Sequence, residues 1–235
     1  MSISEKLEHQ NLNDRTYVVL KEGLISSTFM PGEVFVIRSL AERYGISTTP
    51  VREALQRLVA EHLLVMKPNR SIMVPLVSQA KFIELYRIRC ELEGLAGELA
   101  TQHFRPADFV RLDKTLDAID QAIAKQDQTS YRRLNQSFHF MIYQKANSPH
   151  LLEMIESLWG RVGPIFNGLF DDPKYDEHAN LHHREIAKAL KVRDATDVRI
   201  KLAQDITSAA DSLLPRLQAV AAQDEPGFGE PLRLP

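Results

Sequence analysis

Gly45 and the Thr49-Pro50 pair that follows it cut one helix-forming stretch into two pieces a few residues apart, and this spacing constrains the fold more than any other feature of the chain. IRSLAERYG predicts a short helix stopped by Gly45, because glycine enters the left-handed conformation of a C-terminal cap without a Cβ penalty. ISTTPVREALQRLVAEHLL predicts a longer helix, with Thr49 as N-cap, Pro50 in the first helical position and Glu53 in the acidic opening turns. Leu55, Leu58 and Val59 mark its inward face, with Val51 nearby.

The flanks complete a pattern. NDRTYVVLKEGLISS, residues 13–27, predicts an amphipathic helix with Val18 or Val19, Leu20, Leu24 and Ile25 near helical spacing and Asn13 or Asp14 as its cap. Pro31-Gly32 ends it. LVMKPNRSIMVPLV predicts two short strands around a Lys67–Ser71 turn. Helix, short helix, turn, longer helix and hairpin is the order of a winged helix-turn-helix, where the N-terminal end of the motif's second helix meets base edges. That end carries Thr48, Thr49 and Arg52. Arginine can pair bidentately with guanine, and threonine can meet a thymine methyl or a phosphate. Arg38, on the motif's first helix, and Arg70, in the wing, are placed for phosphates. The net charge of the chain is −2, yet in residues 37–75 Arg38, Arg43, Arg52, Arg57, Lys67 and Arg70 outnumber Glu42, Glu53 and Glu61. The structural alternative is a solvated surface on which Arg52 and Arg57 pair with nearby glutamates.

At 235 residues there is room for a second domain, and 44% hydrophobic with 26% charged residues is a globular composition. Cys90 is the only cysteine, which excludes an internal disulfide and fits a reducing cytoplasm. No apolar run has the length of a membrane helix, and MSISEKLEHQNLNDR lacks the apolar core of a signal peptide. The expectation is a cytoplasmic protein with no membrane contact.

From Ser78 the chain predicts helices with short breaks: one long helix from Ser78, a second from Pro106 to about Lys125, a third over Ser130–Asn147 and a fourth from Pro149. GPIFNGLFDDPKYDEH is irregular. Helices resume over about Glu177–Val192 and Ala195–Ala222, with Pro215 kinking or ending the last. Residues 223–235 read as a disordered tail. Asn135 and His139 share one helix face, His182 and His183 lie on the next-to-last helix, and Asp205 lies on the last, which returns antiparallel to it. Such nitrogens and oxygens can hold Zn²⁺, Ni²⁺ or Mn²⁺; His139 as a hydrogen-bonded core residue is the structural alternative. Arg89 and Arg161 can receive a carboxylate bidentately, or Arg89 can pair with Glu93 along its own helix.

MPGEVFVIRSLAERYGISTTPVREALQRLVAEHLLVMKPNRSIMV resembles the DNA-binding domain of the GntR family, over most of residues 15–77. The resemblance implies DNA contacts at Arg38 and Arg52. Two departures stand out: the family usually has arginine at Thr48, and glycine at Ser71 in the wing, where serine implies an altered tip. Residues from about 80 to 215 are similar to the FCD effector domain of the FadR-type branch, carried by YRIRCELEGLAGELA, LNQSFHFMIYQKANSPHLLEMI and HHREIAKALKVRDATD. Metal-binding members imply ligands at Asn135, His139 and His183, with Asp205 standing where a further histidine is usual. Effector arginines of the family imply Arg89 and Arg161.

The reading is therefore a mostly α protein: a winged helix-turn-helix over residues 1–77 and an all-helical effector-binding and dimerisation bundle over 78–222. It implies a homodimeric regulator, expected to be a repressor, that binds a double-stranded DNA operator under control of a small organic acid. The alternative is a helical hydrolase whose Asn135/His139/His183/Asp205 cluster activates water; no H-E-x-x-H or nucleophile motif accompanies it.

Overall fold

The computed structural model describes the backbone of residues 3–171 and 173–217, and the side chains of residues 12–169 and 180–217. Residues 218–235, including the expected tail, lie outside the described residues.

The first helix, α1 (Ile3–Ile25), begins well before residue 13, so Asn13 and Asp14 lie within it rather than capping it. Tyr17, Leu20, Leu24 and Ile25 are buried, while Val18 and Val19 are each 47% exposed. The valines next to Leu20 thus fall outside the buried arc, and the amphipathic face is turned by one position from a valine-based reading. After the Pro31-Gly32 turn, Val34–Phe35 forms a strand, β1, that no sequence signal announces. Two residues are too few for an alternation pattern to announce a strand. Helix α2 (Ile37–Tyr44) ends at Gly45, whose φ is +65°, and the Ile46 N–H donates to the Ala41 carbonyl at 3.0 Å. Glycine is required there.

Helix α3 spans Thr48–Ala60, two residues earlier than Thr49 as N-cap implies; Ser47 takes the cap position and Pro50 is the third helical residue. Its Pro50, Val51, Ala54, Leu55 and Leu58 are buried, leaving Thr48, Thr49, Arg52 and Gln56 on the exposed face. Strands β2 (Val65–Met66) and β3 (Ile72–Met73) close the hairpin, and the sheet order is β1-β3-β2, all antiparallel. The left-handed residue in the wing is Arg70, φ +65°, and not Ser71. Asn69 Oδ1 accepts from the Ser71 N–H at 3.1 Å and from its hydroxyl at 2.7 Å. Serine in place of glycine therefore brings no left-handed strain, which falls on Arg70 at a cost of roughly 1–2 kcal/mol.

The C-terminal part comprises α4 (Gln79–Ala100), α5 (Pro106–Ala124), α6 (Gln128–Tyr143), α7 (Pro149–Val162), α8 (Pro173–Val192) and α9 (Ala195–Leu213). Ser78 caps α4, its hydroxyl accepting from the Lys81 N–H at 3.4 Å. Asp127 rather than Ser130 starts α6, accepting from the Ser130 N–H at 3.0 Å. The tract after α7 winds as a 3-10 helix over Gly163–Asp171, and α8 begins at Pro173, earlier than Glu177. Pro215 sits in a 3-10 turn, Leu214–Arg216, just past the end of α9, as proline's missing N–H requires.

Two cores result. Tyr17, Leu20, Leu24, Phe35, Leu55, Leu58 and Ile72 pack in the N-terminal one; Phe82, Leu116, Phe138, Trp159, Leu190 and Leu202 pack in the C-terminal one. Helix α1 serves both, since Ile25 belongs to the C-terminal core. The two parts touch along α7 and the 3-10 helix after it. A Cβ on Gly163 would lie 2.1 Å from the Leu24 carbonyl oxygen, and one on Gly160 would lie 2.8 Å from Leu63. Lys21 pairs with Glu156 at 3.0 Å, and Asn167 donates to the Phe29 carbonyl at 3.1 Å. No described helix is long and apolar enough to cross a membrane.

Candidate functional site: an exposed basic face and a buried His-His-Asp cluster

On the surface, the structure groups Thr48, Thr49 and Arg52 at the N-terminal end of α3, with Arg38 on α2 and Arg70 at the wing turn; all five are exposed. Arg38 and Arg52 enter no ion pair among the described residues. Arg57, on the same helix, behaves differently. It pairs with Glu61 at 3.2 Å and Asp14 at 3.4 Å and stacks over the Tyr17 ring at 3.7 Å. The alternative of a glutamate-paired surface helix thus describes Arg57 and not Arg52.

In the C-terminal core, α6, α8 and α9 bring His139, His183 and Asp205 together. His139 Nε2 is 3.3 Å from Asp205 Oδ2, and His183 Nε2 is 3.5 Å from Asp205 Oδ1. The histidines are 2% and 0% exposed. Each imidazole is oriented from behind. Asn180 donates to the Leu116 carbonyl at 2.9 Å and to Asp120 at 2.5 Å, which turns its amide oxygen to His183 Nδ1 at 3.2 Å. His183 therefore carries its proton on Nδ1, and its buried Nε2 has no hydrogen-bond partner. Tyr143 donates to Glu93 at 2.5 Å, so its oxygen is left to accept from His139 Nδ1–H at 3.0 Å. Burial and the Glu93 charge push the Tyr143 pKa well above its usual value, so the phenol keeps the proton this arrangement needs.

Both Nε2 atoms thus converge on the Asp205 carboxylate, and of the two only His183 Nε2 is a buried acceptor without a hydrogen-bond partner. Burial pushes the His183 pKa down to about 4, against the pull of Asp205. Burial works to raise Asp205, but the neighbouring histidines hold it at about 2. An unpartnered imidazole nitrogen facing a buried carboxylate is costly in a dry interior unless a cation joins them. One ligand atom from each of the three residues lies within 4.8 Å of the others, somewhat wider than the roughly 3.0–3.4 Å between donors about 2.0–2.1 Å from a common ion, so a bound ion would draw them slightly together. The donor set, two imidazoles and a carboxylate each braced by a further hydrogen bond or charge, fits a divalent transition metal. Asn135 is half-buried one turn before His139 on α6.

The two arginines part company. Arg89 lies at this cluster, buried, with Nε 2.6 Å and an Nη 3.2 Å from Glu93 and its guanidinium 4.8 Å from the Trp159 ring centroid. Arg161, on the last turn of α7, donates to the Glu61 carbonyl at 3.5 Å, at the end of α3. It thereby links the two parts of the chain. Tyr143, Asn180 and Trp159 escaped the sequence reading. Two were within reach, since Tyr143 follows His139 by one helical turn and Asn180 precedes His183 by almost one. Trp159 comes from another helix, and no spacing rule connects it to the cluster.

Residues 12–74 match the family described as bacterial regulatory proteins, gntR family, and residues 84–208 match the FCD domain. The chain is 37% identical over 202 residues to the HTH-type transcriptional regulator McbR of Escherichia coli K12, covering 85% of this chain and 91% of that protein. It is 24% identical to the HTH-type transcriptional repressor RspR of the same organism, covering 87% and 90%. A solved structure of E. coli McbR/YncC superposes with a TM-score of 0.82 at 34% identity, covering 88% of this chain and 99% of that one. The matched families and relatives are regulators, and nothing among them supports the hydrolase alternative.

Proposed function

Because the chain belongs to the GntR family of bacterial transcription regulators and carries the FCD domain of its FadR-type branch, we propose that it binds a DNA operator as a homodimer in the cytoplasm and that a metal-bound small carboxylate sets its operator affinity. Arg52, Thr48 and Thr49 contact bases, while Arg38 and Arg70 hold phosphates. His139, His183 and Asp205, with Asn135 adjoining, hold Zn²⁺, Ni²⁺ or Mn²⁺. The metal supplies a Lewis-acidic position for an anionic oxygen. Repression relieved by the acid is the sense of regulation we assign.

The observation that carries the effector reading is the charge of the buried cluster. Arg89 is balanced by Glu93, so Asp205 leaves the metal-free cluster with one excess negative charge when both histidines are neutral. A divalent ion reverses the sign, and a monocarboxylate then neutralises it. Burial favours such balance strongly. Carboxylate binding should therefore require the metal, and Arg89 acts as part of a cationic wall. Arg161, bonded to the end of α3, is the residue through which a shift of α7 reaches the DNA-binding part. An acid can move operator affinity only by its differential affinity for two arrangements of the dimer.

The test uses a fluorescent operator duplex selected by the protein itself from random DNA. Binding should weaken steeply with salt. Zn²⁺ plus one acid from a panel should change affinity at least about fivefold, within the usual range of allosteric coupling. EDTA should abolish the acid's effect. Salt-dependent binding that no metal and no acid alters would refute the effector reading while leaving the DNA reading in place.

A further inference from the structure

Two buried polar atoms near the cluster lack hydrogen-bond partners. One is His183 Nε2, the lone pair that the metal reading uses. The other is Trp159 Nε1, an N–H donor on a residue 1% exposed. Buried indole N–H groups nearly always find an acceptor, because leaving one unpaired costs roughly 1–3 kcal/mol. The indole ring lies with its centroid 5.4 Å from that of His139, with the Arg89 guanidinium over it at 4.8 Å and Phe166 against it at 5.9 Å. None of these neighbours offers an acceptor to the N–H: Arg89 is a cation, Phe166 is a hydrocarbon, and His139 Nδ1 faces Tyr143.

The pairing of opposite deficits is informative. The acceptor-rich side, made by two imidazoles and Asp205, calls for a cation. The donor side, made by Trp159, calls for an oxygen. A carboxylate that ligates the metal through one oxygen carries its second oxygen about 2.2 Å away, and that oxygen needs a donor of its own. Arg89 spends two of its five N–H donors on the Glu93 oxygens and can still face an anion, but the buried Trp159 N–H has no acceptor unless a ligand brings one. We infer that Trp159 Nε1 donates to an oxygen of the metal-bound acid, and so reads the presence of an acceptor atom beside the metal-ligating one. This rests on the effector reading above and assigns a ligand contact to a residue with no titratable or metal-binding chemistry. Neutral amide and ester analogues of the acid, in which one carboxylate oxygen is replaced or alkylated, are then selected against.

Trp159 is the only tryptophan in the chain, so the contact can be observed directly. In the Zn²⁺-loaded full chain labelled with ¹⁵N, the tryptophan indole N–H gives a single cross-peak. Acetate, lactate, pyruvate and citrate are titrated in while calorimetry measures binding. The peak should move downfield on saturation with whichever acid binds. Trp159→Phe keeps the apolar ring and removes the donor. It should bind that acid at least about tenfold more weakly, the worth of one hydrogen bond to a charged group, while Zn²⁺ affinity stays within a few-fold of the parent. A binding acid that leaves the indole resonance in place, or that binds Trp159→Phe equally well, overturns the inference and spares the effector reading. If Trp159→Phe does not fold, the parent's cross-peak alone decides. If no acid binds the metal-loaded parent, the carboxylate reading fails and this contact falls with it.

Discussion

The two ends of this molecule keep their functional side chains in opposite environments. On α3, Thr48, Thr49 and Arg52 stand in water on a helix whose other face does the folding. In the C-terminal core, Arg89, Glu93, Tyr143, His139, Asp205 and His183 are all buried and form one chain of polar contacts in that order. An exposed reader is nearly independent of stability, since water solvates its charges when DNA is absent. A buried receptor is part of the fold, because each of its polar groups depends on the next for compensation.

The largest expected effect falls on the buried side. Glu93→Ala leaves the Arg89 guanidinium in the core without its carboxylate, and urea unfolding should show a loss of about 3–5 kcal/mol. The double variant Arg89→Met with Glu93→Leu should recover most of it. If Glu93→Ala costs no more than a surface change, the network is not the structural element described above.

Acid should expose the same contrast. His183 binds its proton at about 4 in the fold but near the ordinary histidine value of about 6.5 when unfolded. The unfolded state thus holds more protons across that window. Metal-free protein should lose up to about 3 kcal/mol as pH falls from about 6.5 to 4. Thermal melts across that range should show the slope, and His183→Gln should flatten it.

Gly163→Ala probes the seam between the two environments. Its Cβ would meet the Leu24 carbonyl, so α7 must move from α1 at a cost of roughly 1–3 kcal/mol. Operator affinity in this variant should respond less to added metal and acid than in the parent, as read by duplex titration.

Exposed residues should show the reverse behaviour. Arg52→Ala should leave the unfolding curve within about 0.5 kcal/mol yet cost about 1–3 kcal/mol in operator binding and relax one base position per half-site. Arg38→Ala should be milder, weakening all sequences alike and lowering the salt slope by about one contact's worth. Unchanged operator affinity in both would remove them from the interface.

The same contrast explains what the linear sequence revealed. Gly45, the PVREALQRL helix and the Lys67–Ser71 turn announce themselves because local rules govern caps, turns and amphipathic faces. The DNA-facing side chains inherit that legibility from α3. His139, His183 and Asp205 could be nominated as types but not brought within bonding distance, since three separate helices deliver them. Arg89 and Arg161 looked alike in sequence. Tertiary packing sends one to the cluster and the other to the end of α3. The strand β1 stayed hidden because only its pairing with β3 defines it.

Helix α1 sets how the whole chain comes apart. Leu20 and Leu24 fill one core while Ile25, one residue on, fills the other. A cut after the wing would leave Ile25 without its pocket and strip Leu24 of the backbone that Gly163 lays against it. The reader is thus not a detachable head on a tether. Amide exchange should find the last turn of α1 and the middle of α7 opening in the same cooperative step, so that loosening at the receptor is felt at the reader as a change in the stability of a helix they share.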